Sequence, residues 1–330
     1  MLARNETGRS GARNCEMAWR WPLATRKADW ALLLGAGLVT LAGATVKGFT
    51  FSAGYLSPLV LSLCLITCAG LLTGHERAPR TAAALSTFAW ILAMGVVGSH
   101  ISYFAATANR PLIDETLLTI DAAMGWDAIA VVRNTGADTL LSSLSYAVYM
   151  GFMWQVMLAY VILIATRKLE RLADTLSLMT ICMIGTVVLS SMMPAIGAIV
   201  HLQVPDAVLG HLAGSNAGAW HVPHFMALRE GSMLSFPEPG GWQGIITFPS
   251  FHVIHALVAG YALSCFRWLA LPSAIVSGFI IFTAVSVGGH YVIDLVAGHA
   301  VFAASLWYVS RRTSPRFGRK AQPACLPVPA

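Results

Sequence analysis

Charged residues are scarce in this sequence. Asp, Glu, Lys and Arg together make up 11% of its 330 residues, whereas soluble domains usually carry about a quarter. Hydrophobic residues make up 56%. This composition excludes an ordinary soluble domain. Because a helix satisfies its own backbone hydrogen bonds in lipid, the composition predicts an all-α, polytopic membrane protein.

Cysteine is scarce too, and a cleavage site is missing. None of the six cysteines falls in a segment that we assign to the outside of the membrane, so we predict no structural disulfide. The first 28 residues are basic and polar and contain no cleavage site, so we expect a cytoplasmic tail rather than a removed signal peptide. The cysteines are Cys15, Cys64, Cys68, Cys182, Cys265 and Cys325.

Apolar runs approach the roughly 20 residues that span a bilayer as a helix. We predict about eight spans, with six as the minimum because the sixth and seventh runs are short. The membrane domain is predicted at 29–310, with a six-helix core over about 82–310 after two N-terminal helices, and with basic tails at 1–28 and 311–330. The runs are Asp29–Val46, Tyr55–Thr73, Ala82–Ala106, Leu141–Thr166, Thr175–Val200, Phe251–Phe266, Leu271–Val287 and Tyr291–Ser310.

The distribution of Lys and Arg sets the predicted orientation. With a cytoplasmic N-terminus, 17 of the 21 basic residues lie inside, and only Lys47, Arg110, Arg133 and Arg229 lie outside. We therefore expect both termini in the cytoplasm and the starts of the sixth and eighth spans at the extracytoplasmic face. The expected location is a bacterial inner membrane or plasma membrane. The net charge of +6 then reflects anchoring on anionic lipid and needs no nucleic-acid partner.

Two polar stretches lie on that outer side. Phe-Pro-Ser-Phe-His ends at His252, and Gly-Gly-His-Tyr-Val-Ile-Asp ends at Asp294. The second stretch puts His290 and Asp294 at i and i+4 on one helix face, where the carboxylate fixes the imidazole tautomer and leaves the other nitrogen free to attack. His252 is the candidate general acid. Ser250 and the free N–H groups of a first turn that follows Pro249 would form an anion pocket.

Plainer interpretations remain open for each stretch. Phe248–His252 also suits a helix cap with an interfacial histidine, and the His–Asp pair also suits a structural lock between two helices. Catalysis is favoured because Asp294 is the only acidic residue that we place within a span, where an unpaired carboxylate is costly. Gly288 and Gly289 let another backbone approach closely. A Ser250 nucleophile with the His–Asp pair as its base is the weaker chemical alternative.

Together the stretches resemble the type 2 phosphatidic acid phosphatase superfamily, whose pattern is Pro-Ser-x-His and then His-x-x-x-Asp ahead of a membrane helix. The likeness covers about 110–298, and His-Tyr-x-x-Asp is similar to the branch of inositol phosphorylceramide and sphingomyelin synthases. It implies a phosphohistidine-forming His290, its partner Asp294 and the proton donor His252, with a lipid phosphate as substrate and no metal or other cofactor. The candidate phosphate-binding residues are Ser250, Arg110 and Gly289.

Two positions depart from the family pattern. The first motif often has a basic residue seven positions before its Arg, where this chain has Tyr103, and phosphatases tend to have an Arg six positions before the nucleophile, where it has Ala284. The synthase branch shares this gap. We therefore predict a lipid phosphatase or phosphotransferase, with transfer of an inositol-phosphate-type headgroup as one form. The alternative is a non-catalytic transporter or assembly scaffold, which the missing Arg favours.

Two further segments are assigned to the outside. Asn109–Asp138 alternates apolar and acidic residues as an amphipathic interfacial helix does. His201–Thr247 is rich in Gly, Pro and His, as many lids and binding loops are. Its His221-x-x-His224 pair lacks companions for a zinc site, so we predict no metal. Four of its aromatic residues are expected to dip into the headgroup region: Trp220, Phe225, Phe236 and Trp242.

Overall fold

A computed structural model describes residues 21–22, 24–51, 54, 56–74, 78–209, 211–214, 217–236 and 244–313. Within these ranges the chain forms helices and no β-strand, apart from one isolated bridge between Thr50 and Ser235. Most of both predicted tails, together with Cys15, Trp242 and Cys325, lies outside the described residues.

The described helices follow one another along the chain with short connections, except between 193 and 250. In order they are α1 (Lys27–Val46), α2 (Leu56–Gly74), α3 (Pro79–Ala106), α4 (Asp114–Ala123), α5 (Ala128–Ala137), α6 (Thr139–Met150), α7 (Phe152–Ala165), α8 (Leu169–Met192), α9 (Ala198–His201), α10 (Asp206–Leu209), α11 (Val222–Glu230), α12 (Phe251–Leu263), α13 (Arg267–Ser286) and α14 (Val292–Thr313).

Six of these helices are long and apolar enough to cross a membrane, namely α1, α2, α3, α8, α13 and α14. The six-span minimum is therefore confirmed, and the chain is an integral membrane protein of the all-α class. Helix α12 has 13 residues, so at 1.5 Å per residue it measures about 20 Å, less than the roughly 30 Å of a hydrocarbon core. A count of eight spans requires that α12 crosses the membrane and that α6 and α7 together form one span.

The predicted span Leu141–Thr166 is bent rather than straight. Helices α6 and α7 meet at Gly151 with an angle of 53° between them, and the pair passes as one broken span. A side chain at Gly151 would bring its Cβ within 3.0 Å of the carbonyl oxygen of Ala147. The bend leaves Tyr149 and Phe152 on either side of the break.

Two other predicted boundaries are wrong. Helix α8 begins six residues before Thr175, at Leu169, and ends at Met192, because Pro194 cannot continue a helix. Helix α13 begins at Arg267, four residues before the predicted start at Leu271, and contains Pro272. Pro272 is the sixth residue of α13 and lies inside the helix, where its missing N–H removes one hydrogen bond of the helix.

Asp294 is not the only acidic residue within a span, and that prediction is wrong. Asp29 is 1% exposed in α1, and its Oδ2 accepts a hydrogen bond of 2.5 Å from the Ser177 hydroxyl of α8. Arg26 donates to the same hydroxyl at 2.9 Å and pairs with Asp174. These contacts join the first turn of α1 to the first half of α8.

Helices α12 and α14 have the polar stretches at their N-terminal ends and several arginines near their C-terminal ends. We call the latter the arginine-rich end. Helix α12 begins after Ser250 and ends near Ser264, whose hydroxyl accepts a hydrogen bond from Arg171 of α8. Helix α14 begins at Val292 and ends beside a cavity lined by Arg26, Ser177, Val309 and Arg312. Both polar stretches therefore open at the end away from most of the described arginines.

The amphipathic helix predicted in Asn109–Asp138 is present as α4, and two of its acidic residues are buried. Asp114, Leu117 and Asp121 are buried, while Ile120 and Met124 are 36% and 44% exposed. An i, i+3, i+7 spacing puts the two carboxylates on one side of the helix with Leu117. The acidic side of α4 therefore faces the protein and needs hydrogen-bond donors there.

The segment between α8 and α12 packs onto the bundle more closely than predicted. Phe225 and Phe236 are 3% and 5% exposed and belong to a cluster that includes Tyr103 of α3. The expectation that these two rings enter the headgroup region is wrong, because α3 covers them. Trp220 is 42% exposed and remains available to the interface.

Candidate active site

The second polar stretch forms a buried His–Asp pair at the start of α14. His290 Nδ1 lies 3.1 Å from Asp294 Oδ2, with side chains 3% and 0% exposed. The same oxygen accepts the backbone N–H of Tyr291 at 3.0 Å. A carboxylate oxygen only accepts, so the imidazole proton is on Nδ1 and Nε2 carries the lone pair.

The lone pair of His290 faces the first stretch. Ser250 Oγ lies 3.4 Å from His290 Nε2, although the two residues are 40 positions apart. The Ser250 N–H donates to the backbone carbonyl of Asp294 at 3.1 Å. At Gly298 a Cβ would come within 2.8 Å of the Ser250 carbonyl oxygen, so only glycine permits this approach of α14 to α12. The two stretches thus form one site.

Ser250 is also the N-cap residue of α12, but its hydroxyl makes no capping hydrogen bond. The N–H groups of the first turn have no partner within the helix, and the helix dipole makes this end positive. A buried serine that leaves its own helix uncapped favours an external acceptor at this point. The N-terminus of α12, Ser250 and His290 therefore converge on a space suited to an anion.

The turn before His290 is built from two glycines with different constraints. Gly289 has φ +69°, and its carbonyl accepts the Ala198 N–H at 2.7 Å. A Cβ on Gly288 would lie 2.6 Å from the Tyr149 ring and 2.7 Å from the Ala284 carbonyl. Among the described residues no acceptor is bonded to the Gly289 N–H, which leaves it free for a ligand.

His252 lies edge-on to His290, with 5.6 Å between the ring centroids. Its other neighbours are Tyr149, stacked at 4.5 Å, and Phe152, tilted at 4.4 Å. The bend at Gly151 brings both aromatic rings here. The sequence prediction missed them, although a glycine flanked by aromatic residues in the middle of an apolar run was a visible signal.

Two carboxylates of α4, which the sequence prediction did not assign to the site, hold the second stretch. Asp121 accepts the backbone N–H groups of Val292 at 2.7 Å and Ile293 at 2.9 Å, so it caps α14 from another helix. Burial raises the pKa of Asp121, and these two hydrogen bonds oppose the rise. The N-terminus of α14 already has its anion, so a phosphate group would be bound at α12 instead.

Asp114 links three backbone segments at the site. It accepts the Tyr291 hydroxyl at 3.2 Å and the N–H groups of Ile196 and Gly197 at 3.0–3.1 Å. Its charge opposes the burial that lowers the pKa of Arg229. The turn after His290 is therefore fixed by a carboxylate 177 residues away in sequence.

The three arginines that the charge distribution predicts outside the membrane differ in their relation to the site. Arg110 and Arg133 expose their side chains. Arg229 is half-buried; its Nη2 donates to the Arg110 carbonyl at 2.8 Å, and its Nη1 is buried with no partner among the described residues. At the positions where the family pattern has a basic residue, Tyr103 is 1% exposed and Ala284 is 0% exposed. Arg229 therefore has a buried donor without a partner among the described residues, and its guanidinium interacts with the charge of Asp114.

We predict that Asp121→Ala lowers both stability and turnover. Loss of an N-cap costs about 1–2 kcal/mol of unfolding free energy, and the start of α14 carries His290 and Asp294. Thermal unfolding of the purified protein and its turnover number, measured below the transition, test this. Asp127→Ala is the control because Asp127 caps α5 through a 3.0 Å bond from Ala130 N. It should lose stability but not turnover; equal losses of turnover would contradict the prediction.

Comparison with known families agrees with this geometry. Residues 115–308, more than half of the chain, match the family model of the PAP2 superfamily. The chain belongs to the PAP2 superfamily. The matched region begins within α4 and contains both polar stretches, while α1 to α3 lie before it.

PAP2 domains are generally phosphoesterase-type enzymes in membrane proteins, so membership points to a phosphatase or phosphotransferase fold here. No curated protein and no solved structure gives a significant match to this PAP2 chain. The resemblance to the synthase branch therefore rests on the His-Tyr-x-x-Asp residues and on the absence of the basic residues at Tyr103 and Ala284.

Proposed function

We propose that this PAP2 protein cleaves a phosphoester bond of a membrane lipid through a phosphohistidine on His290. The observation that carries the proposal is the buried relay in which Asp294 holds Nδ1–H at 3.1 Å while Nε2 faces Ser250 Oγ at 3.4 Å. A structural lock would need the His–Asp pair but has no use for an uncapped serine at the free nitrogen.

In the first step His290 Nε2 attacks phosphorus, and the bond from phosphorus to the lipid oxygen breaks. His252 gives its proton to that oxygen, and the carboxylate of Asp294 stabilises the imidazolium that forms. In the second step a hydroxyl oxygen attacks phosphorus and gives its proton to His252, while the phosphorus–nitrogen bond breaks and its electron pair returns to His290 Nε2. Water as the attacking group gives hydrolysis, and an alcohol gives transfer.

The phosphate oxygens need donors that are fixed before the reaction. We assign this role to the first-turn N–H groups of α12, the Ser250 hydroxyl and the unpaired Gly289 N–H. Arg229, with its unused Nη1, suits the role of additional cation better than the exposed Arg110. This pocket requires no metal and holds less positive charge than one with Arg in place of Ala284. That gap favours transfer of a phospho-headgroup, such as an inositol-phosphate-type group, over simple hydrolysis.

The same proposal includes a topology. With the arginine-rich end in the cytoplasm, α6 with α7 and the short α12 complete eight spans, both termini are cytoplasmic and the site opens to the outside. This arrangement is supported by the position of the polar stretches at the starts of α12 and α14, with most of the described arginines at the other end of these helices. We also propose that the six-helix core over about 82–310 carries the chemistry and that the two N-terminal helices are an addition to it.

Trapping of the intermediate tests the chemistry and the membrane side together. Right-side-out vesicles would receive a short-chain, phosphorus-labelled lipid phosphate that does not cross the bilayer. We expect label on the protein in an acid-labile, base-stable form, as a phosphohistidine gives. Labelling that requires inside-out vesicles would overturn the proposed side, and an absence of labelling in both preparations would overturn the phosphohistidine.

One observation favours a second candidate, a Ser250 nucleophile. Ser250, His290 and Asp294 lie in the order and spacing of a serine–histidine–aspartate triad, with distances of 3.4 and 3.1 Å. That mechanism would leave an acid-stable, base-labile adduct on Ser250. The same trapping experiment therefore separates the two candidates.

A further inference from the structure

A third histidine, His221, lies close enough to His290 to be influenced by its charge. His221 immediately precedes α11 and is 7% exposed, and its Nε2 lies 3.1 Å from the Ile196 carbonyl oxygen. A carbonyl oxygen only accepts hydrogen bonds, so Nε2 must carry the ring proton. The lone pair of the neutral ring is then on Nδ1, which has no hydrogen-bond partner among the described residues.

The segment around His221 packs against the backbone just before His290. A Cβ on Gly218 would lie 3.1 Å from the Val287 carbonyl oxygen and 3.2 Å from the Gly288 carbonyl carbon. On the other side, Gly197, which follows the residue that anchors the His221 ring, would bring a Cβ to 3.0 Å from the Gly289 carbonyl oxygen. The glycines near His221 and beside its hydrogen-bond partner Ile196 therefore both contact the turn that precedes His290.

The protonation state of His221 decides what it can bind. Burial first, and then the charge of His290, lower the pKa of His221 to about 4. The ring is therefore neutral at pH 7 and presents a bare nitrogen. Such a nitrogen accepts a hydrogen bond from a hydroxyl group and repels the oxygens of a phosphate. His221 thus suits an alcohol ligand rather than the phosphoryl group.

We propose that His221 binds the hydroxyl of the acceptor alcohol through Nδ1 and so directs the phospho-enzyme towards transfer instead of hydrolysis. This inference rests on the proposed phosphohistidine chemistry and names the acceptor as a hydroxyl-bearing lipid or polyol. His221 is a specificity-determining residue in this scheme, and His252 remains the proton donor and acceptor of both steps.

The test measures how the intermediate divides between alcohol and water. Two labelled donors are used: phosphatidic acid with glycerol as acceptor, and headgroup-labelled phosphatidylinositol with a short-chain ceramide. His221→Gln keeps an N–H donor for the Ile196 carbonyl and removes the Nδ1 acceptor. Loss of one hydrogen bond predicts a fall of about 2- to 10-fold in the ratio of transfer to hydrolysis. His211→Gln, an exposed histidine of the same segment, should leave that ratio unchanged.

Each other outcome identifies what has failed. If His221→Gln lowers transfer and hydrolysis in equal proportion, His221 is structural and the inference is wrong. A wild-type protein that releases only water-derived products with both acceptors also overturns the inference, while a trapped phosphohistidine would leave the proposed function standing. Absence of a phospho-enzyme in the wild type would overturn the proposed function itself.

Discussion

Replacing His290 by alanine should reduce turnover of any lipid phosphate that the wild type uses by about 10³-fold or more. His290 Nε2 is the only ring nitrogen of the His–Asp pair that is free to attack, because Nδ1 is held by Asp294 at 3.1 Å. No phosphorus–nitrogen bond can form at this position without it. The label trapped on the wild-type protein should also disappear.

The control for this substitution is His299→Ala. His299 is exposed on the same helix, and its ring nitrogen is bonded only within α14, to the Leu295 carbonyl at 2.8 Å. It should keep wild-type turnover and wild-type labelling. Turnover by purified, monodisperse His290→Ala protein above a tenth of the wild-type rate would sink the assignment of the nucleophile, whatever the adduct on the wild type.

The contact between His290 and Asp294 and their approach to Ser250 were predicted from residue spacing and from topology. The i, i+4 spacing predicted the contact between His290 and Asp294, but the helix-face geometry behind that prediction is wrong. Helix α14 begins at Val292, so His290 lies in the turn before the helix and meets Asp294 across the first turn at 3.1 Å. The charge count placed the starts of two distant helices on one side of the membrane, and the contact between Ser250 and His290 agrees with that placement. Apolar run length predicted the six long helices because it depends only on local composition.

What the sequence could not supply were the interactions between elements distant in the chain. The carboxylates of Asp114 and Asp121 looked like the wet side of an interfacial helix, because polar residues on an amphipathic helix usually face water. Their partners are backbone N–H groups about 80 to 170 residues away, which no pattern of residue types encodes. The bend at Gly151 was missed for a different reason: the flanking aromatic residues were a signal, but one glycine in an apolar run is also compatible with a straight helix.

Asp294→Asn should cost about 10² to 10⁴ in turnover number while leaving KM within a few-fold of the wild type. Asp294 does not face the α12 pocket; its Oδ2 accepts from His290 Nδ1 and from Tyr291 N, and its Oδ1 is buried with no partner. Asparagine must therefore choose between two unfavourable orientations. Both remove the charge that stabilises the imidazolium formed when Nε2 attacks.

If the asparagine oxygen takes the Oδ2 position, its NH2 group is buried at the Oδ1 position without an acceptor, which costs about 1–3 kcal/mol. If the NH2 group takes the Oδ2 position, it opposes the Tyr291 N–H and drives the imidazole proton from Nδ1 to Nε2. The nucleophilic lone pair is then lost. Steady-state kinetics of Asp294→Asn beside Asp138→Asn, which changes an exposed cap of α6, measure the difference. A proportional rise in KM with an unchanged turnover number would show instead that Asp294 serves substrate binding and not the orientation of His290.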